Sequence, residues 1–330
     1  MQTQRCCTGV RVAFPSVGSA NAFNMTRFVS RLAILVALLL CAGCAETPEH
    51  TATKKIDLLL DHGQVQAALD TVENFLRGHP HSVPLLRMRV VVLLRAERPA
   101  LATLALRQVP DGSTLLLGLL RHRDAIVRVN AAKLIANQPT QRDFRDLLHA
   151  LDDPDPNVRR YCARALGEIR NTEALKPLFR LLGDDNWFVR AETAMALGKI
   201  GDPRSVGWLI QLLADDDGYV RYSAAAALCD LASSSTQPLL RRGLESARPE
   251  QQFGIALALA KLKDPLALGP LTAAVHDKDT DVRRQAAEAL GECGQPEGRS
   301  ALTILLKDSD PGVRNQAEEG LQKLREEKRE

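Results

Sequence analysis

Aromatic residues are scarce in this sequence. Eight Phe, two Trp and three Tyr make up 4% of its 330 residues, so any place where they gather stands out. Excess charge of either sign is also small. The formal net charge is +3, but Arg5, Arg11, Arg27 and Arg31 fall within residues 1–43, which hold no acidic residue. Without that segment 39 basic residues face 40 acidic ones. Such a balance lacks the basic excess that nucleic-acid binding requires, so no nucleic-acid partner is expected. Long apolar runs are missing as well: the stretch Leu32–Leu40 is too short to cross a bilayer as a helix. The seven histidines do not form the clustered His, Cys and carboxylate frame of a metal enzyme. His79 and His81, in G-H-P-H-S, form a lone pair more readily explained as solvated loop residues than as ligands. What remains is 45% hydrophobic and 25% charged, rich in Ala and Leu, the balance of a helical globular protein.

The N-terminal region reads as an address. In MTRFVSRLAILVALLLCAGCAETPEH two arginines precede the apolar run, and small residues with Cys44 follow it, the three-part layout of a secretory signal. Met25 is the natural start of that layout, and residues 1–43 are expected to be removed. The segment CAGC, ending at Cys44, resembles the lipobox of bacterial lipoproteins. The resemblance implies diacylation of Cys44, and Ala45 rather than Asp after it implies sorting to the outer membrane, facing the periplasm. The position three before Cys44 holds Cys41 where the lipobox usually has Leu. An ordinary secretory signal cut after Ala45 therefore stays open.

Beyond this segment the chain repeats itself. Val127, Val158, Val189, Val220, Gln251, Val282 and Val313 are each 31 residues apart and anchor seven copies of one pattern. Leu116, Leu147, Leu178, Leu209, Leu240, Leu271 and Leu302 stand eleven places before their anchors, with an apolar residue four further on, one stripe of a first helix. A D-x-D turn follows in most copies, for example Asp153 and Asp155 or Asp308 and Asp310, and its short acidic side chains suit a helix N-cap. In the second helix, Ala five and seven places after most anchors leaves a face on which neighbouring helices can approach closely. Gly167, Gly198, Gly201 and Gly291 supply helix-ending chemistry. Helix pairs this short have no core of their own and bury their stripes only by stacking.

The unit D-P-N-V-R-R-Y-C-A-R-A-L-G-E-I, Asp155 to Ile169, resembles the short HEAT-like repeat named after phycobilisome lyases. The resemblance covers residues 113–330 and implies an all-α protein, an α-solenoid forming a right-handed superhelix of about seven 31-residue helix pairs. For function it implies a range that includes chromophore-lyase subunits, a hydroxylase and plain scaffolds. The hydroxylase branch uses His-Glu pairs, and no His here is followed by Glu. Upstream, GQVQAALDTVENFLRGHP places Gly63, Ala68 and Pro80 as in the second half of a tetratricopeptide (TPR) unit. A 34-residue step reaches Ala102 but meets Glu97 and Thr114 in place of Gly and Pro. Residues 44–54 are expected as a lipid-anchored linker and 55–110 as this TPR-like region, serving either as a cap on the solenoid or as a peptide-binding module.

Three features of the repeat are candidates for function. Arg128, Arg159, Arg190, Arg221, Arg283 and Arg314 form a ladder, each with Asp or Asn four residues before it. These pairs are expected to tie turn to helix along the stack rather than to bind anions. Cys162, Cys229 and Cys293 fall in different copies at core positions, too far apart to bridge. The aromatics are the third. Phe188, Tyr219, Tyr222 and Phe253 fill offsets where other copies hold Arg, Asn or Asp, so with Trp187 beside them they are expected to be exposed and to join in one patch that binds another protein. The expected protein has no catalytic residue, no cofactor, no metal site and no small-molecule substrate. It is a lipid-anchored envelope scaffold, with a chromophore-lyase-like accessory subunit or a structural spacer as alternatives.

Overall fold

A computed structural model describes residues 47–326, and all of the regular structure among them is helical. The signal segment and Cys44 lie outside the described residues. Four helices come first: α1 (Pro48–Asp61), α2 (Val65–Gly78), α3 (Val83–Arg95) and α4 (Pro99–Leu106). Helix α1 begins inside the stretch expected as linker. Thr47 accepts a hydrogen bond from the His50 backbone N–H and Pro48 occupies the first turn, so residues 47–50 form a complete helix start. The 34-residue relation is carried by the backbone. Gly63 (φ 71°) and Glu97 (φ 55°) both take the left-handed conformation, and the next amides, of Gln64 and Arg98, reach back to Leu59 and Leu93. Ala68 and Ala102 are fully buried beneath these turns.

Seven helix pairs follow: α5 (Gly112–Gly118) with α6 (Ala125–Asn137), α7 (Phe144–Ala150) with α8 (Pro156–Ile169), α9 (Leu175–Leu181) with α10 (Trp187–Ile200), α11 (Val206–Leu212) with α12 (Gly218–Leu231), α13 (Gln237–Ser246) with α14 (Pro249–Lys261), α15 (Leu268–Ala274) with α16 (Thr280–Cys293), and α17 (Arg299–Leu305) with α18 (Pro311–Glu326). Most first helices are two turns long, too short to stand in water alone. They are held by the core stripe: Leu147, Leu178, Leu209, Leu240, Leu271 and Leu302 have no accessible surface. Leu116, their counterpart in the first copy, is only half-buried, because α5 gives way to a 3₁₀ turn and Leu119 and Leu120 are buried instead. One continuous apolar cluster runs from Ala52 to Leu324, so the N-terminal helices share the core of the repeats. Arg95 with Asp124 (2.5 Å) and Asn130 with the Leu94 carbonyl (3.0 Å) fasten α3 to the first copy.

The second helices stack through their small residues. A Cβ built on Gly167 would lie 2.6 Å from the Cα of Ala196, one on Gly198 2.9 Å from that of Ala227, and one on Gly291 2.6 Å from that of Gly320. Backbones at that distance admit no side chain between them.

The D-x-D turn does two jobs. Its second residue caps the second helix, with Asp155, Asn186, Asp217 and Asp279 each accepting from the backbone N–H two residues on. Its first residue accepts from the N–H of the second and also receives the ladder arginine of the preceding copy. Arg128 binds Asp153, Arg159 binds Asp184, Arg190 binds Asp215 and Arg283 binds Asp308, each through both Nε and Nη2 at 2.7–3.1 Å. The expected pairing within one copy is therefore corrected: the partner lies 25 residues ahead, and the Asp or Asn four residues back is occupied as a cap. Burial alone would push the carboxyls of Asp184 and Asp215 up, but the arginine and backbone donors outweigh it and hold both below the ordinary value.

Copy five breaks the ladder. It holds Gln252 at the Arg position and Ser246 where the receiving Asp belongs, and α13 is longer than its siblings. Different bonds fasten it. Arg241 and Gln237 reach the buried carboxylate of Asp264 at 2.5 and 2.7 Å, and the Gln251 amide donates to the Ile210 carbonyl of copy four at 2.8 Å.

Candidate functional site: an aromatic patch on adjacent second helices

The patch forms at the N-terminal ends of α10 and α12. Trp187 is the first residue of α10, because Asn186 ends the turn by capping it, and Phe188 follows one step round the helix. The two rings stack with centroids 3.5 Å apart. One copy on, Asp217 caps α12 and sets Tyr219 in its first turn, where its ring meets Trp187 edge-on at 5.8 Å. Tyr219 and Tyr222, three apart on one helical face, have centroids 6.3 Å apart. On the other side the guanidinium of Arg160 lies 5.2 Å from the Phe188 ring and 4.4 Å from that of Tyr161, placing a cation over both rings. The patch thus extends from copy two through copy four.

Exposure divides the five expected residues. Phe188 is 42%, Tyr219 48% and Tyr222 57% accessible. Trp187 is half-buried and packs on the core as the floor beneath the other rings. Phe253 is also half-buried against the core and makes no ring contact with the others; the altered turn of copy five seats it inward. Its equivalence to Tyr222 in the repeat does not carry over to exposure. At the same offset Ala191 is fully buried, so this row is not uniformly outward. Glu192, one turn after Phe188, is half-buried, and burial pushes its carboxyl up despite the nearby Arg164, Arg160 and Lys199.

A second aromatic pair was not anticipated. Trp208 on α11 stacks on Phe179 of α9 at 5.3 Å and is 45% accessible. Its place, twelve before the anchor, holds Asp146, Pro177 and Pro270 in other copies, and that tolerance was a signal of exposure. It belongs to the first helices, whereas the patch belongs to the second.

Residues 144–229, 206–290 and 270–329 match the family model for HEAT repeats, together spanning 144–329. The chain belongs to the HEAT-repeat family. Helices α1–α4 lie outside the matched residues. No curated protein matches the chain in sequence. Among solved structures, Kap95p in its complex with RanGDP superposes with a TM-score of 0.51 at 15% identity, covering 86% of this chain and 42% of that one. The complex of CpcE and CpcF of phycocyanin lyase from Nostoc gives 0.40 at 22% identity over 64% and 94%, and human deoxyhypusine hydroxylase 0.32 at 22% over 76% and 99%. These likenesses concern the fold.

The HEAT array holds three cysteines. Cys162 and Cys293 are buried and Cys229 is half-buried. Burial pushes the Cys162 thiol up strongly and that of Cys229 to about 11, so neither supplies a thiolate near neutral pH. His79 and His81 are both exposed in the connection after α2. Among the described residues no three His, Cys, Asp or Glu side chains gather as a metal site, and no helix is long and apolar enough to cross a membrane.

Proposed function

We propose that this HEAT-repeat protein is a non-enzymatic, lipid-anchored scaffold of the bacterial envelope that docks another protein on the patch formed by Trp187, Phe188, Tyr219 and Tyr222. The observation that carries the reading is the contiguity of the rings: half-buried Trp187 stacks on exposed Phe188 and meets exposed Tyr219 of the next copy, which adjoins exposed Tyr222, and the three exposed rings occupy offsets that hold Asn157, Arg160 and Asp281 in sibling copies. Joined exposed aromatic surface of this kind is enriched at protein interfaces, where large rigid rings bury much area at small entropic cost. A solenoid suits the role, since stacking makes an extended surface without needing a closed cavity. Anchoring through acylated Cys44 at the outer membrane rests on the signal layout from Met25 to Cys44. Several acyl chains hold a protein on a bilayer far more firmly than one.

Crosslinking in intact cells, comparing wild type with the Phe188→Ser, Tyr222→Ser double variant, tests the docking. Both rings are exposed, so the variant is expected to keep its helical circular dichroism while losing its crosslinked partner. An unchanged crosslink pattern leaves the molecule a structural spacer instead.

A further inference from the structure

Arg221 is built like the other ladder arginines but has no carboxylate to receive. In copies one, two, three and six the guanidinium is held in the same way. Its Nη1 donates to two carbonyls of its own turn, five and six residues back, and its Nε and Nη2 point as a fork at the Asp of the next copy. Arg221 keeps the first half: its Nη1 donates to the carbonyls of Asp215 (2.8 Å) and Asp216 (3.0 Å). The place 25 residues ahead is Ser246, whose hydroxyl turns back on the carbonyls of its own helix, Arg242 and Gly243. The siblings' side chains are only 12–17% accessible, whereas Arg221 is exposed. Arg314 in copy seven makes the same two carbonyl bonds. Arg221 is therefore an open fork inside the array, at the same N-terminal end of α12 that carries the exposed Tyr219 and Tyr222.

We infer that the Nε–Nη2 edge of Arg221 receives a carboxylate of the protein docked on the aromatic patch. The inference rests on the docking proposed above and adds the chemistry recognised there. Three observations support it. A planar fork already fixed by two carbonyls has lost its rotamer freedom before any ligand arrives, which removes part of the cost of binding. Four sibling forks in the same chain hold carboxylates at 2.7–3.1 Å, so this geometry selects a carboxylate rather than merely tolerating an anion. Gly218 leaves Nη2 without a side chain against it: a Cβ there would be in van der Waals contact with Nη2 at 3.5 Å, and copies one, two, three and six hold Ala125, Pro156, Trp187 and Thr280 at this place. Of the nearby acids, Asp215 is bound by Arg190 and Asp217 caps α12, which leaves the carboxylate of Asp216 to repel an incoming anion. A small free carboxylate is therefore expected to bind weakly, and the rings must supply the rest of the contact.

The test has two arms on the full chain. In the first, the Nε–Hε NMR signals of arginine are followed while acetate, N-acetylglutamate, inorganic phosphate or chloride is added. The Arg221 signal is expected to shift saturably with the two carboxylates, to vanish in Arg221→Gln, and to leave the signals of Arg159 and Arg190 unmoved. No saturable shift, or an equal response to chloride, overturns the inference; tighter binding of phosphate overturns it in favour of a phosphorylated ligand. In the second arm, Arg221→Gln is crosslinked in cells beside the Phe188→Ser, Tyr222→Ser variant. A loss of partner capture of about tenfold, with helicity unchanged, supports the carboxylate contact. Full capture by Arg221→Gln together with loss in the aromatic variant sinks this inference and leaves the docking patch standing, whereas full capture by both removes both.

Discussion

Twelve places after the anchor, four copies turn their backbone into the left-handed region, and only two of them use glycine to do so. Gly201 (φ 78°) and Gly294 (φ 70°) take the conformation without steric cost, while Arg170 (φ 57°) and Lys263 (φ 54°) place a Cβ against it. Arg170→Gly is thus expected to stabilise the protein by about 1 kcal/mol, read as a higher urea midpoint with unchanged slope. The ladder carboxylates give a second expectation at this scale. The Arg283 fork holds Asp308 at about 2 against an ordinary 3.8. A depressed carboxyl stabilises the fold in full above its unfolded value, and that contribution is lost as pH falls through the folded value. Helicity should therefore be lost with acid between about pH 4 and pH 2, and Arg283→Gln should flatten the stability slope in that window. The sequence displayed every arginine and aspartate of the ladder. Which Asp each Arg meets was not legible, because the pairing joins residues 25 apart across two turns, and the nearer Asp was already committed to capping.

At the scale of the element, the stacking of second helices depends on the absence of side chains. Gly198→Val would force a branched side chain against the Ala227 backbone, with a first contact at 2.9 Å, and is expected to cost about 1–3 kcal/mol. Urea unfolding measures it, with the exposed Gly207→Ala as a control that has nothing within 4 Å. The positions of the second helices were legible because Asx caps and a strict 31-residue interval agree. The first helices were less so. The shortness of α5 and the length of α13 depend on what packs beneath them, and α1 begins where a linker was expected.

For the whole molecule, α1–α4 close one end of a continuous core, and the copies are joined in register by the ladder up to copy four and again from copy six to seven. Copy five, fastened by Asp264 and Gln251 instead, is where the array changes its connection and where Arg221 is left open. Attachment to the bilayer belongs to this scale as well. Labelled palmitate is expected to enter the wild-type protein and to be absent from Cys44→Ala; continued labelling of that variant would show that Cys44 is not the anchor.

The sequence by itself determined the number of copies, the identity of the helical stripes and the offsets at which aromatics replace polar residues, because each is a matter of spacing along one chain. Only the tertiary structure decided which rings join. Trp187, Phe188, Tyr219 and Tyr222 meet because adjacent copies bring the starts of α10 and α12 side by side, whereas Phe253 lies half-buried behind the altered turn of copy five. It also decided that Arg221, between copies whose arginines are paired, stands open, since a missing partner shows only once the position facing it is known.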